Sequence, residues 1–139
     1  MKYYVVIDTN VLVSAMLKWN SVPGTIIQMV YGGIITPVWN EKILNEYREV
    51  LSRPKFDLSQ EIINTLMDGI TYAGICIDAE TSDIELSDLK DRVFYEVVIK
   101  ERRSEDAYLV TGNMKHFPAA PFIVTPRQML DIILGGGGK

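Results

Sequence analysis

Short apolar runs alternate with longer helical patterns along this 139-residue chain, and that alternation restricts the fold more than any other feature. The first run, 3–7, is compact and rich in β-branched residues, which is typical of a strand buried on both faces of a parallel sheet. Strands are predicted at 3–7, 34–36, 75–78, 107–111 and 122–124, and helices at 11–18, 25–31, 41–52, 59–72, 92–103 and 127–134. The order β-α-α-β-α-α-β-α-β-β-α predicts an α/β sandwich with a mainly parallel central sheet.

Length and composition indicate a single domain. The chain is close in length to a typical domain of roughly 150 residues, and its content of 47% hydrophobic and 23% charged residues is ordinary for a globular protein. We expect one domain over 1–134, followed by a flexible glycine-rich tail at 135–139.

Neither a membrane span nor a secretory signal is predicted. The longest nearly apolar stretch, 25–35, contains Gln28 and two glycines and is far shorter than the roughly 20 residues that cross a bilayer. Asp8 interrupts the first apolar run before a signal sequence could form, so we expect a cytoplasmic protein. The single cysteine, Cys76, excludes an intrachain disulfide and a multi-cysteine metal site.

The chain is acidic, with a net charge of −4. It therefore lacks the overall basic character with which many proteins bind nucleic acid through counterion release. A polyanionic substrate would need a bound metal cation, a local basic patch or a partner chain.

Polar side chains follow two of the predicted strands at the ends where parallel strands place ligands. Asp8, Thr9 and Asn10 come directly after the first strand, and Thr111 and Asn113 end a later one. Asp8 or Asn10 could equally cap the helix that follows, which is a common role for these residue types.

Glu46 borders the apolar stripe of its predicted helix, three residues after Ile43 and four before Val50. A glutamate at such an edge either extends along the rim to solvent or reaches into a polar pocket. The pattern leaves both interpretations open.

Three further acids lie near later elements. Asp88 and Asp91 stand at the start of the helix predicted at 92–103. The free N–H groups of the first turn favour an acid there, so either residue could cap the helix, but capping does not need two acids. Asp106 precedes a predicted strand, so a parallel arrangement would place it at the opposite edge of the sheet, in a structural role.

Carboxylates that converge from separate segments without Cys or His predict an all-oxygen site for Mg²⁺ or Mn²⁺. Such a cation would relieve repulsion among the acids and give an acidic protein the positive charge to receive a phosphodiester. The only histidine, His116, is predicted to be a turn residue rather than a general base.

Four segments in order, 7–12, 41–51, 88–94 and 106–113, resemble the successive motifs of the PIN domain. The likeness extends from Met1 to about Leu134, and 124–130 fits the branch of toxin components from prokaryotic toxin–antitoxin pairs. The resemblance implies a three-layer α/β/α sandwich and a metal-dependent ribonuclease.

By the same resemblance, Asp8, Glu46 and Asp91 would be the catalytic acids and metal ligands. Glu46 would bind the metal or orient the attacking water. A fourth acid often follows the last core strand of these proteins, and Asn113 stands there instead, where its carbonyl oxygen could still bind a metal. The supporting residues would be Asn10, Thr111, Asp88 and Asp106.

The resemblance also implies an RNA substrate and a cognate antitoxin chain that lies over the acidic cleft. RNA contacts are expected from basic residues near the motif helices, Arg48, Arg53, Lys55 and Arg92. Trp19, Trp39 and Met129 could form a partner surface or a homodimer face, or could equally belong to the core.

Two other functions remain open at this point. A catalytically weak PIN-like module that binds RNA or protein is favoured by Asn113 and the acidic charge. A receiver-type phospho-acceptor domain also carries an aspartate after its first strand, but Lys115 is poorly placed to neutralise a phosphate. The chain contains no phosphate-binding glycine loop of the P-loop or dinucleotide-binding type.

Overall fold

The computed structural model describes residues 2–78 and 89–136, and in these residues five strands form one parallel sheet. The strands are β1 (Tyr3–Ile7), β2 (Ile35–Trp39), β3 (Ile75–Cys76), β4 (Ala107–Val110) and β5 (Ile123–Val124), in the spatial order β3-β2-β1-β4-β5. Every neighbouring pair is parallel. The predicted α/β/α sandwich with a parallel central sheet is confirmed.

The described residues also form six α-helices, in the predicted order. They are α1 (Thr9–Leu17), α2 (Val22–Tyr31), α3 (Glu41–Leu51), α4 (Gln60–Ala73), α5 (Leu89–Glu101) and α6 (Pro126–Gly136), with short 3₁₀ turns at Pro54–Phe56 and Met114–His116. Among the described residues, no helix is long and apolar enough to cross a membrane.

Side-chain caps define several helix starts. Asn40 caps α3 by accepting a hydrogen bond from the Ile43 N–H at 2.9 Å. Ser59 caps α4 through the Ile62 N–H at 3.1 Å. Thr125 caps α6 by accepting from the backbone N–H of Gln128 at 3.1 Å.

Some boundaries differ from the predicted ones. β2 extends to Trp39, through Pro37. The strand lies between β1 and β3, all five of its residues are buried, and this burial outweighs the missing proline N–H. Helices α1, α2 and α5 each begin two or three residues earlier than predicted, since their first turns carry little apolar periodicity. Helix α6 reaches Gly136, and 137–139 lie outside the described residues.

The core lies on both sides of β1 and β4, and it contains two of the three side chains that could have formed a partner surface. Trp39 is buried and donates its indole N–H to the Ile70 carbonyl at 3.2 Å, and Met129 is fully buried. Trp19 is 39% exposed and remains on the surface. The alternative of a core role is therefore correct for Trp39 and Met129.

A single hydroxyl ties α3 to the end of β1. Tyr47 is buried, and its hydroxyl donates a hydrogen bond to the Ile7 carbonyl, one residue before Asp8. This contact holds the helix that carries Glu46 against the carboxyl end of β1.

We expect Tyr47→Phe to reduce the free energy of unfolding by about 1–3 kcal/mol, because it removes a buried donor from a backbone carbonyl without emptying the site of the ring. Equilibrium denaturation in urea measures the change. Tyr72→Phe is the matched control, since the Tyr72 side chain is 94% exposed and its variant should match the wild type. Equal stability of the two variants would contradict the role given to Tyr47.

Candidate active site

Asp8 lies at the carboxyl edge of the sheet, where β1 and β4 end side by side. Its backbone N–H donates to the Val110 carbonyl at 2.9 Å, and the Thr111 hydroxyl donates to its Oδ2 at 2.6 Å. The parallel pairing of Ile7 with Val110 brings these two ends together. The predicted convergence of Asp8 and Thr111 at one edge is therefore present in the fold.

Burial dominates the electrostatics of Asp8, which is only 4% exposed. Desolvation raises the pKa of its carboxyl above the ordinary value. Four smaller effects lower that pKa: the hydrogen bond from Thr111, the Thr9 N–H, the His116 side chain and the Asn10 N–H. Asp8 occupies the N-cap position of α1, but among the described residues its side chain makes no capping hydrogen bond of good geometry. Its carboxylate also lines the adjacent cavity.

A cavity of about 180 Å³ opens beside Asp8 and brings the three predicted acids together. Asp8 comes from the end of β1, Glu46 from α3, and Asp91 from the first turn of α5. Glu46 is half-buried and lines the cavity. The complete lining is Asp8, Thr9, Asn10, Glu46, Val50, Arg53, Asp91 and His116.

Thr9 contributes a buried polar atom to the same cavity. The residue is 4% exposed, and its Oγ1 has no hydrogen-bond partner among the described residues. A buried hydroxyl without a partner costs free energy, and such an atom in a native fold points to a ligand or ordered water in the adjacent space.

His116 is the site residue that sequence reasoning did not identify as one. It ends the 3₁₀ turn Met114–His116, as a turn residue should, yet it also lines the cavity, with its Nδ1 3.3 Å from Asp91 Oδ2. The only available signal was its position six residues after β4, on the edge where Asp8 also lies.

The other predicted supporting residues are distributed differently. Asn10 is exposed and lines the cavity, whereas Asn113 lies beside it and donates its backbone N–H to Thr111 Oγ1 at 3.0 Å. Asp106 is exposed at the amino end of β4, on the opposite edge, as its position before that strand predicted. Asp88 lies outside the described residues.

Of the four basic residues expected to contact RNA, Arg53 lines the acidic cavity. Its guanidinium lies 3.0 Å from Glu49 Oε2 at the exposed end of α3. Arg48 instead donates to Asn64 Oδ1 on α4 at 2.8 Å, and the Lys55 ammonium lies 5.1 Å from the centre of the Phe56 ring. Arg92 follows Asp91 on α5.

The donor set of the cavity suits a hard divalent cation. Its three carboxylates supply the oxygen ligands that Mg²⁺ and Mn²⁺ prefer. The hydrogen bonds of Asp8 do not offset the desolvation of its charge, and Thr9 Oγ1 has no hydrogen-bond partner among the described residues. As the side chains stand in 2–78 and 89–136, no three or more His, Cys, Asp or Glu residues are grouped closely enough to hold a metal ion directly. Bound water or a side-chain rotation would have to complete the coordination.

A larger cavity of about 600 Å³ lies elsewhere, between α1, α2 and α4. Its lining is mostly apolar and includes Trp19, Tyr31 and Ile62, with Glu61 as its one acid. Another cavity, of about 410 Å³, is lined by the charged side chains of Glu41, Lys42, Asp78 and Glu96. We place the candidate active site at the cavity of about 180 Å³, because it holds the buried Asp8 carboxylate and the unpartnered Thr9 hydroxyl at the carboxyl end of β1.

A comparison with protein families matches residues 4–115 to the model described as "PIN domain". Neither a curated protein nor a solved structure matches the chain. The matched region contains all three acids of the cavity and covers more than half of the sequence. The chain therefore belongs to the PIN-domain family.

Proposed function

We propose that this protein is a Mg²⁺- or Mn²⁺-dependent endoribonuclease. PIN domains are generally nucleases. The observation that carries the proposal is the convergence of Asp8, Glu46 and Asp91, from three separate elements, on one small cavity next to a buried carboxylate.

Each acid has a role that follows from its surroundings. Asp8 and Asp91 are the metal ligands, since both carboxyl groups are largely buried and face the cavity. Thr111 holds Asp8 Oδ2, which fixes the orientation of that carboxylate. Glu46 binds the metal or orients the attacking water by accepting its proton. When bound, a divalent cation activates water and stabilises the charge that develops on the phosphate.

The biological role that we propose is that of a toxin in a toxin–antitoxin pair. The PIN-domain motifs and the closing segment 124–130 support this role. The cognate antitoxin would cover the acidic cavity and could offer an arginine to its carboxylates, which bind guanidinium groups bidentately. Growth arrest on expression, relieved by the chain encoded next to it, is the corresponding cellular test.

A catalytically weak PIN-like module that binds RNA or protein is the second candidate. Two observations favour it: Asn113 replaces an acid after β4, and the described acids are not grouped tightly enough to hold a metal directly. Cleavage that depends on Asp8 separates the two functions.

We expect purified wild-type protein to cleave labelled single-stranded RNA with Mg²⁺ or Mn²⁺ and not with EDTA. Asp8→Asn and Asp91→Asn should each reduce the cleavage rate by a factor on the order of 10² or more, because each removes a charge that positions the cation. Glu46→Gln should reduce it as well.

Asp68→Asn is the matched control for these acid variants. Asp68 is exposed on α4 and does not line the cavity, so its variant should cleave at the wild-type rate. Acid variants that stay folded and cleave as fast as the wild type would exclude the ribonuclease function and leave the binding module.

Asp8→Asn should also change stability, because the folded state raises the pKa of this carboxyl. A raised pKa means that the folded state binds the proton more tightly than the unfolded state. Stability is therefore lost as pH rises from the ordinary pKa to the raised one, and the loss is complete above that window. At neutral pH in EDTA, Asp8→Asn should be more stable than the wild type.

Thermal unfolding with and without metal completes this prediction. Mn²⁺ should raise the melting temperature of the wild type and leave that of Asp8→Asn unchanged. Only the folded wild type binds the metal, and binding to the folded state stabilises it. If Asp8→Asn is less stable than the wild type in EDTA, the buried charge of Asp8 does not destabilise the folded state, and this prediction is wrong.

We expect Arg53→Glu to weaken RNA cleavage without unfolding the protein. Arg53 is the arginine in the cavity lining, and reversal of its charge should weaken RNA binding roughly fivefold. The slope of the logarithm of the binding constant against the logarithm of the salt concentration should become shallower by about one. Lys2→Glu is the control, because Lys2 precedes β1 at the opposite edge of the sheet and its reversal changes net charge equally. Equal effects of both reversals would assign the loss to overall charge.

A further inference from the structure

His116 lines the same acidic cavity as Asp8 and Asp91. Its Nδ1 lies 3.3 Å from Asp91 Oδ2, and the Asp91 side chain is only 14% exposed. His116 is also near enough to Asp8 to influence that carboxylate electrostatically. The imidazole is therefore in contact with one proposed metal ligand and shares the cavity with the other.

The turn that carries His116 is held by a chain of hydrogen bonds that begins at Asp8. Thr111 donates to Asp8, the Asn113 N–H donates to Thr111 Oγ1 at 3.0 Å, and the His116 N–H donates to the Asn113 carbonyl at 2.9 Å. Phe117 follows directly and is 6% exposed, which anchors the turn in the core. These contacts fix the backbone of the turn beside Asp8, so that His116 lines the cavity while its side chain stays 39% exposed.

The spacing of His116 and Asp91 suits two ligands of one cation. Two donor atoms about 2.1 Å from a metal and at right angles to each other are about 3 Å apart, close to the 3.3 Å between Nδ1 and Oδ2. Asn113, which follows β4 where a fourth donor was expected, does not line the cavity, and His116 does.

We propose that His116 binds the divalent cation through its imidazole nitrogen and gives this site a preference for Mn²⁺ over Mg²⁺. The inference rests on the proposed metal site and adds a nitrogen donor to its carboxylates. Imidazole is a good ligand for transition metals, whereas Mg²⁺ favours oxygen donors and keeps its water. The side chain thereby supplies the donor that Asn113 leaves out of the cavity.

The histidine content of the chain makes the test direct. His116 is the only histidine, so any imidazole nitrogen coupled to bound Mn²⁺ in a protein freed of purification tags comes from this residue. The experiment is electron spin echo envelope modulation of Mn²⁺ bound to the full chain, with titrations of Mn²⁺ and Mg²⁺ by calorimetry. The variants are His116→Gln, Asp8→Asn and, as a control from the same turn, Lys115→Gln.

Wild-type protein and Lys115→Gln should show imidazole ¹⁴N modulation. His116→Gln should lose it, bind Mn²⁺ about tenfold more weakly and bind Mg²⁺ with less than about threefold change. The proposal is overturned if Mn²⁺ binds with dependence on Asp8 but without ¹⁴N modulation, or if His116→Gln binds both metals as the wild type does; the proposed metal site then stands. If Mn²⁺ binding does not depend on Asp8, the metal site itself fails, and the inference about His116 fails with it.

Discussion

Burial of the Asp8 carboxylate at the carboxyl edge of the sheet is the constraint on which the site depends. Folding removes this charge from water because β1 must pair with β4 on one side and β2 on the other. The Thr111 hydroxyl compensates part of the desolvation, but the pKa of Asp8 stays raised. The fold thus carries a local cost that a cation in the adjacent cavity would offset.

The remaining acids reach the cavity because their helices are fixed to the same strand end. Tyr47 bonds to the Ile7 carbonyl and packs near Phe94 of α5, with ring centres 6.2 Å apart. Glu46 precedes Tyr47, and Asp91 lies three residues before Phe94. One aromatic pair therefore positions both helices, so the site is built on core packing rather than on loops.

The sequence was informative wherever one periodic element determined a position. The ends of parallel strands placed Asp8 with Thr111 and separated Asp106 from them, because strand direction alone decides which edge a flanking residue occupies. Periodicity placed Glu46 only at the border of a buried face and could not distinguish an exposed rim position from a polar pocket, since that depends on what packs opposite.

His116 was not identified as a site residue, because its approach to Asp91 results from a tertiary contact between a turn and a helix that no local pattern encodes. The course of 79–88, including Asp88, lies outside the described residues.

The distribution of charge explains how an acidic chain could act on RNA. Net repulsion of a phosphate by a protein of charge −4 is a long-range effect, and solvent ions screen it over about 8 Å at physiological ionic strength. Within the cavity, the nearest charges determine whether a phosphate is attracted or repelled. Arg53 lines this cavity beside carboxylates that a cation would neutralise. Glu49 holds Arg53 there through an exposed pair, which contributes little to stability but restricts where the guanidinium can reach. Under the proposed function, affinity for a polyanion would be created locally by metal and arginine together, and RNA binding and metal binding would then be interdependent.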